Sequence, residues 1–156
     1  MVRLADLSPS DRENMLKKVP TLPRFRDRPW VKGPALARRR VAIISTAGLH
    51  KRGDRPFGAG AMDYRVIPGA VGANDLVMSH MSVNFDRSGF QQDWNVAFPL
   101  DRLRELAAEG MVGSVADYHY SFMGAVSPVT NYEGKARELA AHLHADKVDA
   151  VLLSPV

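Results

Sequence analysis

Val41-Ala42-Ile43-Ile44-Ser45-Thr46-Ala47-Gly48 is a continuous apolar run, rich in β-branched residues, that turns polar and then reaches a glycine. Such a run suits a parallel strand buried on both faces and closed by a turn. Val148-Asp149-Ala150-Val151-Leu152-Leu153 repeats the buried-strand pattern at the far end of the sequence. Between the two lies a clear helix: Pro99 suits its first turn, Asp101 complements its dipole, and Leu100, Leu103, Leu106 and Ala107 share one face. Gly110 can end it in a left-handed conformation. A second helix is expected after Thr130-Asn131-Tyr132-Glu133, which has the form of a capping box. Tyr132, Ala136, Leu139, Ala140 and Leu143 place an apolar stripe along it as far as about Ala145.

Helices alternating with buried strands imply right-handed crossovers in a parallel sheet. The expected fold is α/β: one doubly wound, mostly parallel sheet of Rossmann-like or flavodoxin-like order, incomplete at its carboxyl-terminal side. Tyr64-Arg65-Val66-Ile67 and Leu76-Val77-Met78-Ser79 read as short strands, and the segment from Gly48 to Gly60 as a loop. Met111 to Val115 and Tyr118 to Met123 read as extended segments of uncertain register.

The sequence of 156 residues has the size of one ordinary domain, and its 46% hydrophobic content suffices for a packed core. Residues 1–40 hold 11 Lys or Arg against 4 Asp or Glu; the remainder holds 10 against 13, so the net +4 comes from the leading segment. That segment divides from the α/β domain of residues 41–156. Ser10-Asp11-Arg12-Glu13 predicts a capped helix from about Asp11 to Lys18, and Pro20, Pro23, Pro29 and Pro34 then impose an extended arm, anchored by Phe25 and Trp30. Its arginines are interrupted by prolines and a tryptophan, so an arm that is solvated or covers a partner is expected, and nucleic acid is not. No apolar run approaches the roughly 20 residues that cross a bilayer, and the amino terminus carries no secretory pattern. A cytoplasmic protein with no membrane association is expected. The absence of cysteine removes disulfides, thiolate metal sites and thiol nucleophiles from these residues.

In open parallel sheets ligands sit beyond the carboxyl ends of the strands. That rule nominates Ser45, Thr46, Gly48 and His50 after the first strand, Ser79 and His80 after another, His119 and Ser121 in a later one, and Ser154 after the last. The polar loop Asp86 to Asn95 adds Asp93 and Asn95 as a binding pair, against an ordinary role in turns. Substrate-binding candidates are therefore Ser45, Thr46, His50, His80, Asp93, Asn95, His119 and Ser121. Each histidine taken singly is more often structural than functional. The spacing supports no metal site, and Gly58-Ala59-Gly60 and Gly69 to Gly72 form no nucleotide fingerprint.

Four strings stand in one order: residues 41–50 (VAIISTAGLH), 63–68 (DYRVIP), 98–106 (FPLDRLREL) and 119–124 (HYSFMG). Together they resemble the selenoprotein B family of glycine, sarcosine, betaine and D-proline reductases, in particular its short members, over about residues 38–156. The resemblance implies an oxidoreductase in which the strand ending Leu153-Ser154-Pro155-Val156 leads into a redox motif that begins with selenocysteine or cysteine. No catalytic residue is then expected within the 156 residues; the redox centre falls just after Val156. A UGA codon read as a stop would end the chain there, with deliberate truncation and a true stop codon as alternatives. A thiol or selenoprotein electron-transfer partner, a small-molecule substrate and a homo-oligomeric or subunit contact are implied in the same way. The competing reading is a non-catalytic binding or assembly module on the same fold.

Overall fold

The computed structural model describes residues 3–24, 31–82, 87–124 and 128–156. Phe25, Trp30 and Asp86 lie outside the described residues. Chain order gives α1 (Pro9–Lys18), β1 (Arg40–Ser45), β2 (Leu49–Lys51), β3 (Tyr64–Pro68), β4 (Leu76–Met78), α2 (Ser88–Gln92), α3 (Leu100–Ala108), β5 (Ser114–Val115), β6 (Tyr118–Phe122), α4 (Glu133–Ala145) and β7 (Ala150–Ser154).

The main sheet centres on β1. β7 runs parallel to it in continuous register from Val41↔Ala150 to Ser45↔Ser154. On the other side β5 and then β6 run parallel to it, and β3 closes that flank antiparallel to β6. The α/β expectation holds, with an antiparallel edge added. Val41, Ile43, Ile67, Phe98, Leu100 and Leu103 form the core under α3, while Ile44, Tyr64, Tyr120, Phe122 and Leu139 pack on the α4 side. Strand alternation sorts these two sets, since successive side chains point to opposite faces.

Several local expectations are corrected. β4 does not join the main sheet. It pairs antiparallel with β2, which lies in the segment read as loop, because Leu49 and Leu76 are both buried and need a partner layer. α1 begins two residues early: Ser8, not Ser10, accepts the Asp11 amide at 3.2 Å, and Pro9 takes the first helical position, where an N–H is dispensable. α1 buries none of its residues. Thr130 does not cap α4, because Val129–Tyr132 forms a 3-10 turn that runs into Glu133 without a side-chain cap. Met111 and Val112 are not strand; their amides return to the Leu106 carbonyl (2.9 and 3.1 Å) as the closing turn of α3, with Gly110 left-handed as expected.

β7 departs most from its reading. Its sequence carries the pattern of a buried strand, yet Val151, Leu152 and Leu153 are 37%, 41% and 68% exposed, as an expected sheet incomplete at this side leaves them. Among the described residues only β1 flanks it. The opposite edge strand, β3, carries Arg65 and ends on Pro68, both of which discourage further pairing; β7 has no charge and no proline within its span.

Candidate functional site

The partner strand of β1 is interrupted. Val41 lies opposite Val115 and Ile44 opposite Tyr120, so β5 and β6 spend two more residues than β1 over the same distance. At the gap the Ile43 amide donates to Nδ1 of His119 at 3.0 Å, so a side chain takes the place of a strand carbonyl. Nδ1 is therefore unprotonated and Nε2 carries the hydrogen. His119 is fully buried, its ring edge-on to Phe98 at 5.8 Å, and Nε2 has no hydrogen-bond partner among the described residues. Burial, aided by Arg104, lowers its pKa to about 4. Arg40 reinforces the gap: it bonds the Val115 carbonyl (2.9 Å) and pairs with Asp146 (2.6 Å), whose other oxygen accepts the Asp117 amide (3.0 Å).

Ser45 and Ser121 lie on the same face as His119 and are likewise fully buried. Ser45 donates to the Ala97 carbonyl (2.9 Å), and Ser121 accepts the Leu49 amide (2.9 Å). His50 bridges the Lys51 carbonyl (3.0 Å) and the Ser79 hydroxyl (2.8 Å), tying β2 to the end of β4. His80 accepts the Ser82 amide at 3.2 Å, and Arg87 donates to its carbonyl; burial and then Arg87 lower its pKa. Asp93 accepts both the Asn95 amide and its carboxamide (2.9 Å each). Asn95 in turn accepts the Asp101 amide (3.0 Å), and Asp101 receives Trp94 Nε1 (2.7 Å) and Arg104 (2.8 Å). This network caps α3. Asn95→Ala should lower stability by about 1 kcal/mol, a fall in Tm of about 2–4 °C, read by thermal denaturation; an unchanged Tm contradicts the capping role.

The candidates thus do not share one crevice. Thr46 alone among them lines the groove at the carboxyl ends of the parallel strands, on the α4 side. That groove, of about 410 Å³, is walled by Ile44, Phe122, Gly124, Tyr132 and Leu139. Its polar groups are the hydroxyls of Thr46 and Tyr132. The Tyr132 oxygen is shielded from solvent, with no well-formed hydrogen bond among the described residues; burial raises its pKa against a smaller, opposite effect of the Gly124 backbone. Tyr132 meets Phe122 edge-on at 5.4 Å. An adjoining hollow of about 510 Å³ shares Val129, Tyr132 and Ala136 and is bounded by Leu22 and Pro23, so the leading arm borders the same region. The apolar stripe on α4 signalled this groove; Tyr132 was legible there as a packing residue, not as its polar group.

Among the described residues no three His, Asp or Glu side chains are grouped to hold a metal, and no helix is long and apolar enough to cross a membrane. Fold and groove define an open α/β-sheet protein with an apolar groove at the strand carboxyl ends. Residues 20–156 match the family described as glycine/sarcosine/betaine reductase selenoprotein B, and the chain belongs to that family. It is 37% identical over 116 residues to the D-proline reductase subunit gamma of Acetoanaerobium sticklandii, covering 73% of this chain and 47% of that protein. It is 31% identical over 142 residues to the sarcosine reductase complex component B subunit beta of Peptoclostridium acidaminophilum (87% of this chain, 32% of that one). The glycine reductase complex component B subunit gamma of Carboxydothermus hydrogenoformans is 30% identical over 141 residues, again 87% and 32%. The chain therefore spans about half to a third of the relatives it matches. No solved structure matches it.

Proposed function

We propose that the chain is part of a selenoprotein B-type component of a reductase complex, acting on a small molecule, with its selenocysteine or cysteine in the position following Val156. The observation that carries this reading is the placement of Val156: its amide donates to Thr46 Oγ1 (2.9 Å) at the mouth of the carboxyl-end groove. A chalcogenol one residue further on would follow the carboxyl end of β7, and in this fold class loops and helix amino termini at the strand ends favour an anion over its protonated form. The small-molecule substrate would enter between that residue and the groove. The groove walls carry no charged side chain. The reading therefore assigns charged parts of a substrate to groups outside the groove. Electrons would come from a thiol or selenoprotein partner, in the cytoplasm.

Reading the genomic DNA past the Val156 codon tests this. An in-frame UGA or cysteine codon followed by a further cysteine supports the reductase; a different residue there, or a firm stop, removes the redox chemistry from this position. The exposed apolar edge of β7 favours a second reading, a non-catalytic assembly module that contacts another subunit through that edge. On that reading Leu153→Lys should convert an associated species to monomer in analytical ultracentrifugation, and a wild-type chain that is already monomeric at tens of micromolar counts against it.

A further inference from the structure

We infer that α1 is a self-association element through which two copies of the chain pair, helix against antiparallel helix, independently of the redox chemistry proposed above. α1 precedes the residues that match the family, and all of its residues are exposed. The chain regains the domain at Leu22 and Pro23, which border the hollow beside α4. A lone helix of 10 residues is marginal in water, so α1 needs a surface to pack on, and its own domain supplies none. Its apolar residues fall on one face. At 3.6 residues per turn Met15, Leu16 and the following Val19 lie within about 100° of one another, and they are 49%, 49% and 58% exposed. Arg12 shares that face; the carbonyls of Leu4 and Ala5 hold its guanidinium (3.3 and 3.4 Å), and its aliphatic stem extends the stripe.

The charges beside the stripe select the occupant. On one flank Asp11 stands toward the amino end and Lys18 toward the carboxyl end; on the other, Glu13 and Lys17 stand in the same order. Each flank therefore runs from negative to positive along the helix. When two such helices lie antiparallel with their stripes together, each flank meets its own copy reversed. Asp11 of one copy then comes beside Lys18 of the other, and Glu13 beside Lys17. A parallel pair brings like charges together instead. Asp11 with Lys18, Glu13 with Lys17 and Met15 with Leu16 are all balanced about the same point near Met15, as two-fold pairing requires. Glu13 already meets Lys17 of its own helix at 2.7 Å with both side chains exposed, so the charges fix orientation more than they add affinity. A contact this short buries less than the roughly 800 Å² per partner of a standard stable interface. The expected dissociation constant is on the order of 10–100 µM.

Analytical ultracentrifugation of the purified protein, at concentrations from well below to about tenfold above that range, tests the pairing. Lys17→Glu with Lys18→Glu makes both flanks acidic, and Asp11→Asn with Glu13→Lys leaves both basic. Asp11→Asn keeps an oxygen to accept from the Ser8 hydroxyl (2.6 Å), so the helix start is retained. Each double variant alone should weaken dimerisation at least tenfold, and an equimolar mixture of the two should restore it. Leu153→Lys, in β7, should leave it unchanged, and because α1 buries none of its residues the thermal melts of the α1 variants should match wild type. The absence of cysteine allows a separate test of orientation by oxidative cross-linking. Met15→Cys places two thiols near the two-fold axis and should give a disulfide-linked dimer. Val19→Cys, on the same face, separates them by about 12 Å along the axis of an antiparallel pair, beyond disulfide reach, and should not. A protein that stays monomeric at the highest concentration overturns the pairing. So does a dimer that Leu153→Lys dissociates and the α1 charge variants do not, and so does equal cross-linking of Met15→Cys and Val19→Cys.

Discussion

Acidification from pH 7 to pH 4 is expected to cost the fold about 3 kcal/mol through His119. In the folded chain burial depresses its pKa to about 4 from an ordinary value of 6.5. Between those two values the unfolded chain holds a proton that the folded chain refuses, so stability rises with pH across the window and falls as pH drops through it. The contribution is complete above pH 6.5, where both states are neutral, and fully lost at about pH 4. A shift of about 2.5 pH units corresponds to about 3 kcal/mol. The structural reason agrees with the sign: protonated Nδ1 would direct a hydrogen at the Ile43 amide that it now accepts from. After burial, Arg104 opposes the charge most; Asp146 favours it, and Arg40 opposes it in turn. Carboxylates whose pKa is held low, such as Asp101 and Asp146, titrate below this window. His80 overlaps it, with a depressed pKa of its own. Denaturant unfolding at several pH values, in wild type and in His119→Gln, isolates the His119 share by difference. Equal pH dependence in the two proteins would show that His119 titrates as it does in an unfolded chain.

His119 also shows where the sequence stops being informative. Its place in an extended segment was legible, but its burial and its role depend on a two-residue slip between β1 and its neighbour, a tertiary feature with no local signature. The strands and helices that run on one period were legible: β1 from its unbroken apolar run, α3 from Pro99, Asp101 and Gly110. β2 was hidden because three residues in a glycine-rich stretch carry no period, and its partner β4 was accordingly placed in the wrong sheet. Strand alternation, once the register is known, sharpens the candidate site. Ser45 and Thr46 are adjacent on one extended segment and so face opposite sides of the sheet; only one of them can line a given crevice. His119 and Ser121, two apart, share a face, and register places Ser45 opposite Ser121, on the packed side. Thr46 follows as the residue of this set left to the groove. The exposure of β7 is not written in its own residues, because an apolar strand reads the same at the centre of a sheet as at its edge; it was legible only through the expectation of a sheet incomplete at that side.

Gly124→Ala should destabilise the protein by about 3 kcal/mol, a fall in Tm of roughly 6–12 °C at this size, and should loosen the Thr46 contact in the same step. Gly124 has φ +79°, a conformation that costs an L-residue about 1–2 kcal/mol. The added carbon would also lie 2.5 Å from the Thr46 carbonyl oxygen and 2.8 Å from its Cβ, and crowding of that kind costs about 1–3 kcal/mol more. Neither neighbour can yield cheaply: the oxygen belongs to the backbone where β1 ends, and Thr46 is tied to Ser154 and Val156. The strain should therefore relax through β7, whose outer side no described strand covers, and speed hydrogen exchange of the Val156 amide. Gly134→Ala supplies the contrast. It lies in α4, a carbon added there meets nothing within 4 Å, and removing a glycine from a helix stabilises by about 1 kcal/mol. Thermal melts of the two variants should move in opposite directions from wild type. A Gly124→Ala protein within about 0.5 kcal/mol of wild type would mean that the loop after β6 can withdraw from Thr46, and that Thr46 is held less rigidly than its packing implies.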